Sequence, residues 1–163
     1  MELDKALFEL TKSSVFKKWN KENPYYFLAH GFLLLDEQNK DTWQIGFYNK
    51  EKDRMVTFFV KEQQVKKTEE QEILKSKVEI KKLNIEEVKL TTEKALQIAK
   101  DVMKDNYSKE PVIKMFFIIQ NTDLGVIYNV TFLLQNFKTF NVKISAADGK
   151  VLRHSCEKLA DFS

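Results

Sequence analysis

The sequence predicts an α+β protein made of two helix-plus-antiparallel-sheet repeats, each a helix followed by three strands. Three observations carry that expectation. Two segments space their apolar residues at helical intervals. Several later segments alternate apolar and polar residues or are apolar throughout. The order helix, strand, hairpin occurs twice along the 163 residues.

The first helix is expected from about Lys5 to Asn20, with Asp4 accepting an orphan backbone N–H at its start. Leu3, Ala6, Leu7, Leu10, Phe16 and Trp19 fall broadly on one side of it. Asn23-Pro24 ends it, because the residue before proline is pushed toward extended geometry. Tyr25 to Leu35 reads as a strand buried on both faces, with Gly31 placed for a bulge. Thr42 to Tyr48 alternates, with Trp43, Ile45 and Phe47 on one face, and Arg54 to Val60 returns after a charged turn. Lys61 to Ser76 is dense in Lys, Glu and Gln and reads as a connector, either a strand tail or a solvated helix. Lys77 to Leu83 alternates weakly and is a further strand candidate.

The second copy opens at Thr91 or Thr92, either of which suits an N-cap, with Glu93 at the positive helix end. Leu96, Ala99, Met103 and Tyr107 make its apolar stripe, and Pro111 closes the segment. Val112 to Gln120 is apolar on both faces, Val126 to Gln135 runs back, and Lys138 to Ser145 alternates. Asp148-Gly149 then turns the chain into a last strand over Lys150 to Cys156.

The repeat can be aligned residue by residue. Lys5-Ala6-Leu7 matches Lys94-Ala95-Leu96, Trp19 matches Tyr107, and Pro24 matches Pro111. Trp43, Ile45 and Phe47 match Tyr128, Val130 and Phe132, and without a gap Met55, Thr57 and Phe59 match Phe140, Val142 and Ile144. Domain boundaries follow at 1–75 and 76–163. The alignment leaves Val56, Phe58 and Val60 on the face away from the helix, whereas Asn129, Thr131, Asn141, Lys143 and Ser145 make the equivalent second face polar. Leaving large apolar side chains in water costs about 1.5–3 kcal/mol each. Val56, Phe58 and Val60 are therefore the candidate interaction surface, to be covered by the other repeat, the connector or a second chain.

Composition narrows the function classes. A hydrophobic share of 43% with 12% aromatics supports a packed core, and four Gly with two Pro leave little room for flexible linkers. The formal charge is +3 with Lys and Glu interleaved, and arginine occurs only at Arg54 and Arg153. Such a surface disfavours bidentate phosphate or base recognition, so no nucleic-acid partner is expected. The single cysteine, Cys156, excludes an intrachain disulfide and a multi-cysteine zinc site. No segment reads as a membrane span and the first residues do not read as an export signal. The expectation is a soluble, cytoplasmic protein, or an extracytoplasmic one if a leader has been removed.

No catalytic set is visible and no cofactor or metal is expected. His154 and Cys156 share a strand face, which suits the start of a metal site or a nucleophile pair, but no third ligand is assignable and His30 is distant in sequence. A partly buried cysteine beside a surface histidine is the simpler reading. Glu69-Glu70 and Glu86-Glu87 read as solvated loop charge. Asn106-Tyr107-Ser108 and Asn129-Val130-Thr131 match the glycosylation acceptor pattern and carry no weight without export.

The run Ala146-Ala147-Asp148-Gly149-Lys150-Val151-Leu152, the helix opening Thr92-Glu93-Lys94-Ala95-Leu96-Gln97-Ile98-Ala99 and the strand Tyr128-Asn129-Val130 together resemble PepSY domains. The resemblance covers about the last seventy residues; the first half joins only through the repeat and lacks the Gly-Lys-Val-Leu ending. It implies a small non-catalytic module of the kind found in metallopeptidase propeptides and in secreted or membrane-bound proteins, with no catalytic residues to carry over. The expected function is a non-enzymatic binding or regulatory module that engages a protein partner such as a peptidase, or forms a homodimer. The alternative is a cystatin-shaped α+β protein holding a small apolar ligand between helix and sheet.

Overall fold

A computed structural model of the protein describes residues 1–72, 79–107 and 110–158. The chain opens with two helices rather than one, α1 (Leu3–Lys12) and α2 (Ser14–Glu22). The break falls at Ser13, whose backbone is extended and whose hydroxyl accepts the Phe16 N–H at 3.1 Å. Serine offers the backbone this local alternative to continuing a helix, so the predicted single helix restarts in a new direction. Asp4 sits in the first turn of α1 and Glu2 occupies the N-cap position.

Strands β1 (Phe27–Leu34), β2 (Trp43–Asn49) and β3 (Arg54–Lys61) follow, then the short β4 (Gln64–Lys67) and β5 (Gln71–Glu72). The Lys-rich connector thus lays strand along the edge of β3 as far as residue 72. No strand occurs in residues 79–83, and the rest of the strand expected at Lys77 lies outside the described residues. A single 3-10 turn (Ile85–Glu87) leads into α3 (Thr92–Tyr107), where the Thr91 hydroxyl accepts the Lys94 N–H at 3.3 Å. The chain ends in β6 (Val112–Thr122), β7 (Gly125–Leu134), β8 (Lys138–Ser145) and β9 (Val151–Lys158).

The nine strands of the described residues belong to one antiparallel sheet in the order β4-β3-β2-β1-β6-β7-β8-β9, with β5 also paired to β3. This corrects the expectation of two repeats that each pack a helix on their own three-stranded sheet. Strands β1 and β6 pair directly, from His30 opposite Gln120 to Leu34 opposite Phe116, so the ladder runs unbroken across the middle of the chain. Both central strands are apolar on both faces, which suits them to a sheet centre rather than to two edges. The fold is α+β, but its unit is the whole sheet. The boundary expected between residues 75 and 76 lies outside the described residues.

One sheet face carries the helices and is called inner here. Its side chains, among them Trp43, Ile45, Phe58, Phe117, Tyr128, Val130 and Phe140, join Leu3, Ala6, Leu10, Phe16, Trp19, Ala95 and Ala99 in a single buried cluster. Two polar anchors tie the chain's beginning into that layer. The Glu2 carboxylate accepts the Thr92 backbone N–H at 3.0–3.1 Å and the Thr92 hydroxyl at 2.9 Å, placing negative charge at the N-terminus of α3. The Trp43 indole N–H donates to the Met1 carbonyl at 2.9 Å. Gly31 does not form the bulge; the register shift lies between Leu28 and His30. A β-carbon on Gly31 would come within 2.7 Å of Leu3, so the missing side chain is what lets α1 sit against β1.

Candidate functional site

The predicted interaction surface is where the structure departs most from the sequence reading. Val56, Phe58 and Val60 are 2%, 0% and 0% exposed, and they lie under the helices. The Phe58 ring meets Phe16 at 5.5 Å and Trp19 at 5.1 Å between centroids. The cause is one residue of hairpin length. Phe47 pairs with Val56, nine positions on, whereas Phe132 pairs with Phe140, eight positions on. The ungapped alignment therefore slipped β3 by one residue, and a one-residue slip exchanges the two faces of a strand. The apolar set that the alignment left uncovered is covered by this chain's own α1 and α2.

The same slip moves Met55, Thr57 and Phe59 to the outer face, opposite the one on which the described helices pack. Partners directly across a ladder share a face, so the outer set can be followed strand by strand. It comprises Gln44, Gly46 and Tyr48 on β2, His30 and Phe32 on β1, Phe116, Ile118 and Gln120 on β6, and Asn129 and Thr131 on β7. Phe27, Phe32, Phe59, Phe116 and Ile118 are only half-buried there, and Phe32 stacks against Phe116 at 5.6 Å. The strip is flanked by cations. Lys66 lies opposite Phe59, Lys114 opposite Leu133, and Lys143 and Arg153 lie opposite one another further across, with Glu157 the acidic counterpart.

The two ends of this face differ. Toward β8 and β9 it is polar: the Asn141 amide donates to the Asn129 side-chain oxygen at 2.5 Å and to the Thr131 hydroxyl at 3.0 Å. These residues floor a shallow recess of about 430 Å³ that also includes Lys143 and Glu157. Toward β1 and β2, His30 lies flat over Gly46, where a β-carbon would approach its ring to 2.4 Å. Burial holds the His30 pKa below the usual histidine range. Beside it Tyr48 packs edge-on to Phe27 at 5.6 Å and donates its hydroxyl to Asp53, which pushes its pKa up to about 12.

A second concavity of about 500 Å³ lies between α2 and the β3–β4 edge. Trp19, Tyr26 and Val56 form its apolar floor, and Lys18, Lys67 and Glu22 stand at its rim. The break at Ser13, which gives no cleft signal in the sequence, starts the helix that walls this space.

The remaining sequence candidates are not brought together. His154 lies against Phe140, with ring centroids 6.0 Å apart, and Cys156 is partly buried on the same strand. Among the described residues no group of three or more His, Cys, Asp or Glu side chains is placed to hold a metal ion. Glu70 accepts the Tyr26 hydroxyl, and Glu86 and Glu87 form the 3-10 turn before α3. Among the described residues no helix is long and apolar enough to cross a membrane.

No family model and no curated protein matches the chain. A solved crystal structure does align with it, that of a protein from Clostridium difficile 630 provisionally described as a lipoprotein. The two superpose with a TM-score of 0.55 at 11% identity, over 88% of this chain and 90% of the other. At that identity the likeness shows the fold alone. It extends over both halves of the sheet.

Proposed function

We propose that the protein is a non-enzymatic binding module whose outer sheet face receives a protein partner with an apolar anchor set among carboxylates. The observation that carries this is the half-buried strip Phe32–Phe116–Ile118, with Lys114 two residues from Phe116 on the same strand and Lys66, Lys143 and Arg153 further across the same face. Aromatic and aliphatic anchors supply most of an interface's energy, and rim cations steer an acidic surface onto it. The run Ala146–Leu152, which carries the PepSY resemblance, shapes the β8–β9 connection and accepts the backbone N–H groups of Lys89 and Leu90 at the Ala146 carbonyl. A structural task for these residues supports a non-catalytic module. That resemblance and the lipoprotein description of the structural neighbour also favour an extracytoplasmic setting over a cytoplasmic one.

The test is chemical-shift mapping of the full chain with two synthetic peptides of equal length. One carries Phe and Leu among Asp and Glu, the other the same anchors among Lys. The acidic peptide should shift amides of β1 and β6 around Phe32, Phe116 and Ile118, more weakly as salt rises, and the basic one should not. Equal shifts from both peptides, or none on these strands, would refute the proposal.

The cleft under α2 supports a second reading, a small apolar ligand held between Trp19, Tyr26 and Val56. Native mass spectrometry of gently purified protein separates the two readings. A bound small molecule, released by Val56→Trp, favours the cleft.

A further inference from the structure

We propose that the protein forms a twofold dimer by antiparallel pairing of β9 with β9 of a second copy, in the register that sets Ser155 opposite its own equivalent. The two edges of the sheet are built differently. At one edge β4 has four residues, two of them lysines, and β5 is offset from it, which are common ways to discourage strand addition. At the other edge β9 is eight residues long, and among the described residues only β8 pairs with it. From Arg153 to Lys158 its register with β8 is unbroken; the bulge lies before Arg153. A run of this length is what edge-to-edge addition uses.

Charge selects both the occupant and the register. Arg153, Ser155 and Glu157 are exposed and share the outer face. In the register centred on Ser155, Arg153 of each chain lies opposite Glu157 of the other, giving two ion pairs related by symmetry. Moving the centre one residue toward either end loses both pairs. At His154 it sets Arg153 against Ser155, and at Cys156 it sets Glu157 against Ser155. Within the chain Arg153 already lies opposite Lys143, a like-charge pair that a carboxylate on its free side would relieve. The closed twofold consumes both β9 edges and leaves no template for further growth. It would also join the two outer faces at their polar ends, leaving the Phe32–Phe116 strips free. It engages Arg153, one of the four cations named above, and leaves Lys66, Lys114 and Lys143 to the outer strip, so failure of the dimer would not remove the anchor strip.

Sedimentation equilibrium of the full chain over a wide concentration range tests it. The wild type should dimerise, and Arg153→Glu or Glu157→Arg alone should each weaken the dimer by about tenfold. The double reversal should restore it, because the pair is re-formed with exchanged signs. In a Cys156→Ser background, Ser155→Cys should give a covalent dimer on oxidation and Glu157→Cys should not. A strict monomer, a dimer indifferent to the single reversals, or a double reversal that fails to restore association would overturn the proposal.

Discussion

The two faces of this sheet are made by the same strands, yet they are finished differently. On β6, Phe117 and Ile119 point inward and are fully buried, while Phe116 and Ile118 point outward and are half-buried. On β3, Val56, Phe58 and Val60 are buried beneath α1 and α2, while Met55, Thr57 and Phe59 on the other face are only half-buried. The inner face has its full set of covering side chains from α1, α2 and α3. The outer face has comparable aromatic content at its centre without that cover. The difference separates two roles: inner residues account for folding, and outer ones remain available for contact.

The largest effect should come from the inner face. Phe58→Ala removes a ring that touches Phe16, Trp19 and Phe47, and should cost about 3–5 kcal/mol in denaturant unfolding. Gly46→Ala probes a closely packed spot on the outer face. The added methyl collides with His30 and should cost about 1–3 kcal/mol, and His30→Ala should recover part of that loss. If His30→Ala recovers none of it, the contact does not govern that site. Glu2→Ala removes the acceptor for the Thr92 N–H at the start of α3 and should cost about 1 kcal/mol by thermal melting.

A smaller effect follows from His30 and pH. Burial lowers its folded-state pKa below 6.5, so as pH falls through 6.5 the unfolded chain takes up the proton first. Unfolding then binds protons, and stability declines from pH 6.5 down to the folded-state pKa. Above pH 6.5 the residue is neutral in both states and contributes no slope. Melting temperature followed against pH should show this decline in the wild type and a flatter profile in His30→Gln.

Strand positions, the α3 cap region and the Asp148-Gly149 turn were legible because alternation, turn residues and capping residues are local signals. The α+β class followed from them. Four features were not legible. Ser13 lies between two segments that share one apolar stripe, and only the orientation of α2 over Phe58 shows that the helix must restart there. Pairing of β1 with β6 is a long-range choice, although the double-sided apolarity of both strands hinted at a central place. The facing of Val56, Phe58 and Val60 turned on a single residue in the loop from Asn49 to Arg54, and periodicity within β3 cannot detect that. The candidate surface was therefore assigned to the wrong side of the right strand. The outer strip at Phe32 and Phe116 was hidden in runs read simply as buried on both faces.

A serine scan along β6, from Phe116 to Ile119, tests the separation of roles most directly, with unfolding free energy and acidic-peptide binding measured for each variant. The expected result is two opposed alternations. Phe117→Ser and Ile119→Ser should lose most of the stability, while Phe116→Ser and Ile118→Ser should cost only about 1 kcal/mol and abolish peptide binding. Equal destabilisation at all four positions, or binding unaffected at Phe116 and Ile118, would contradict the account.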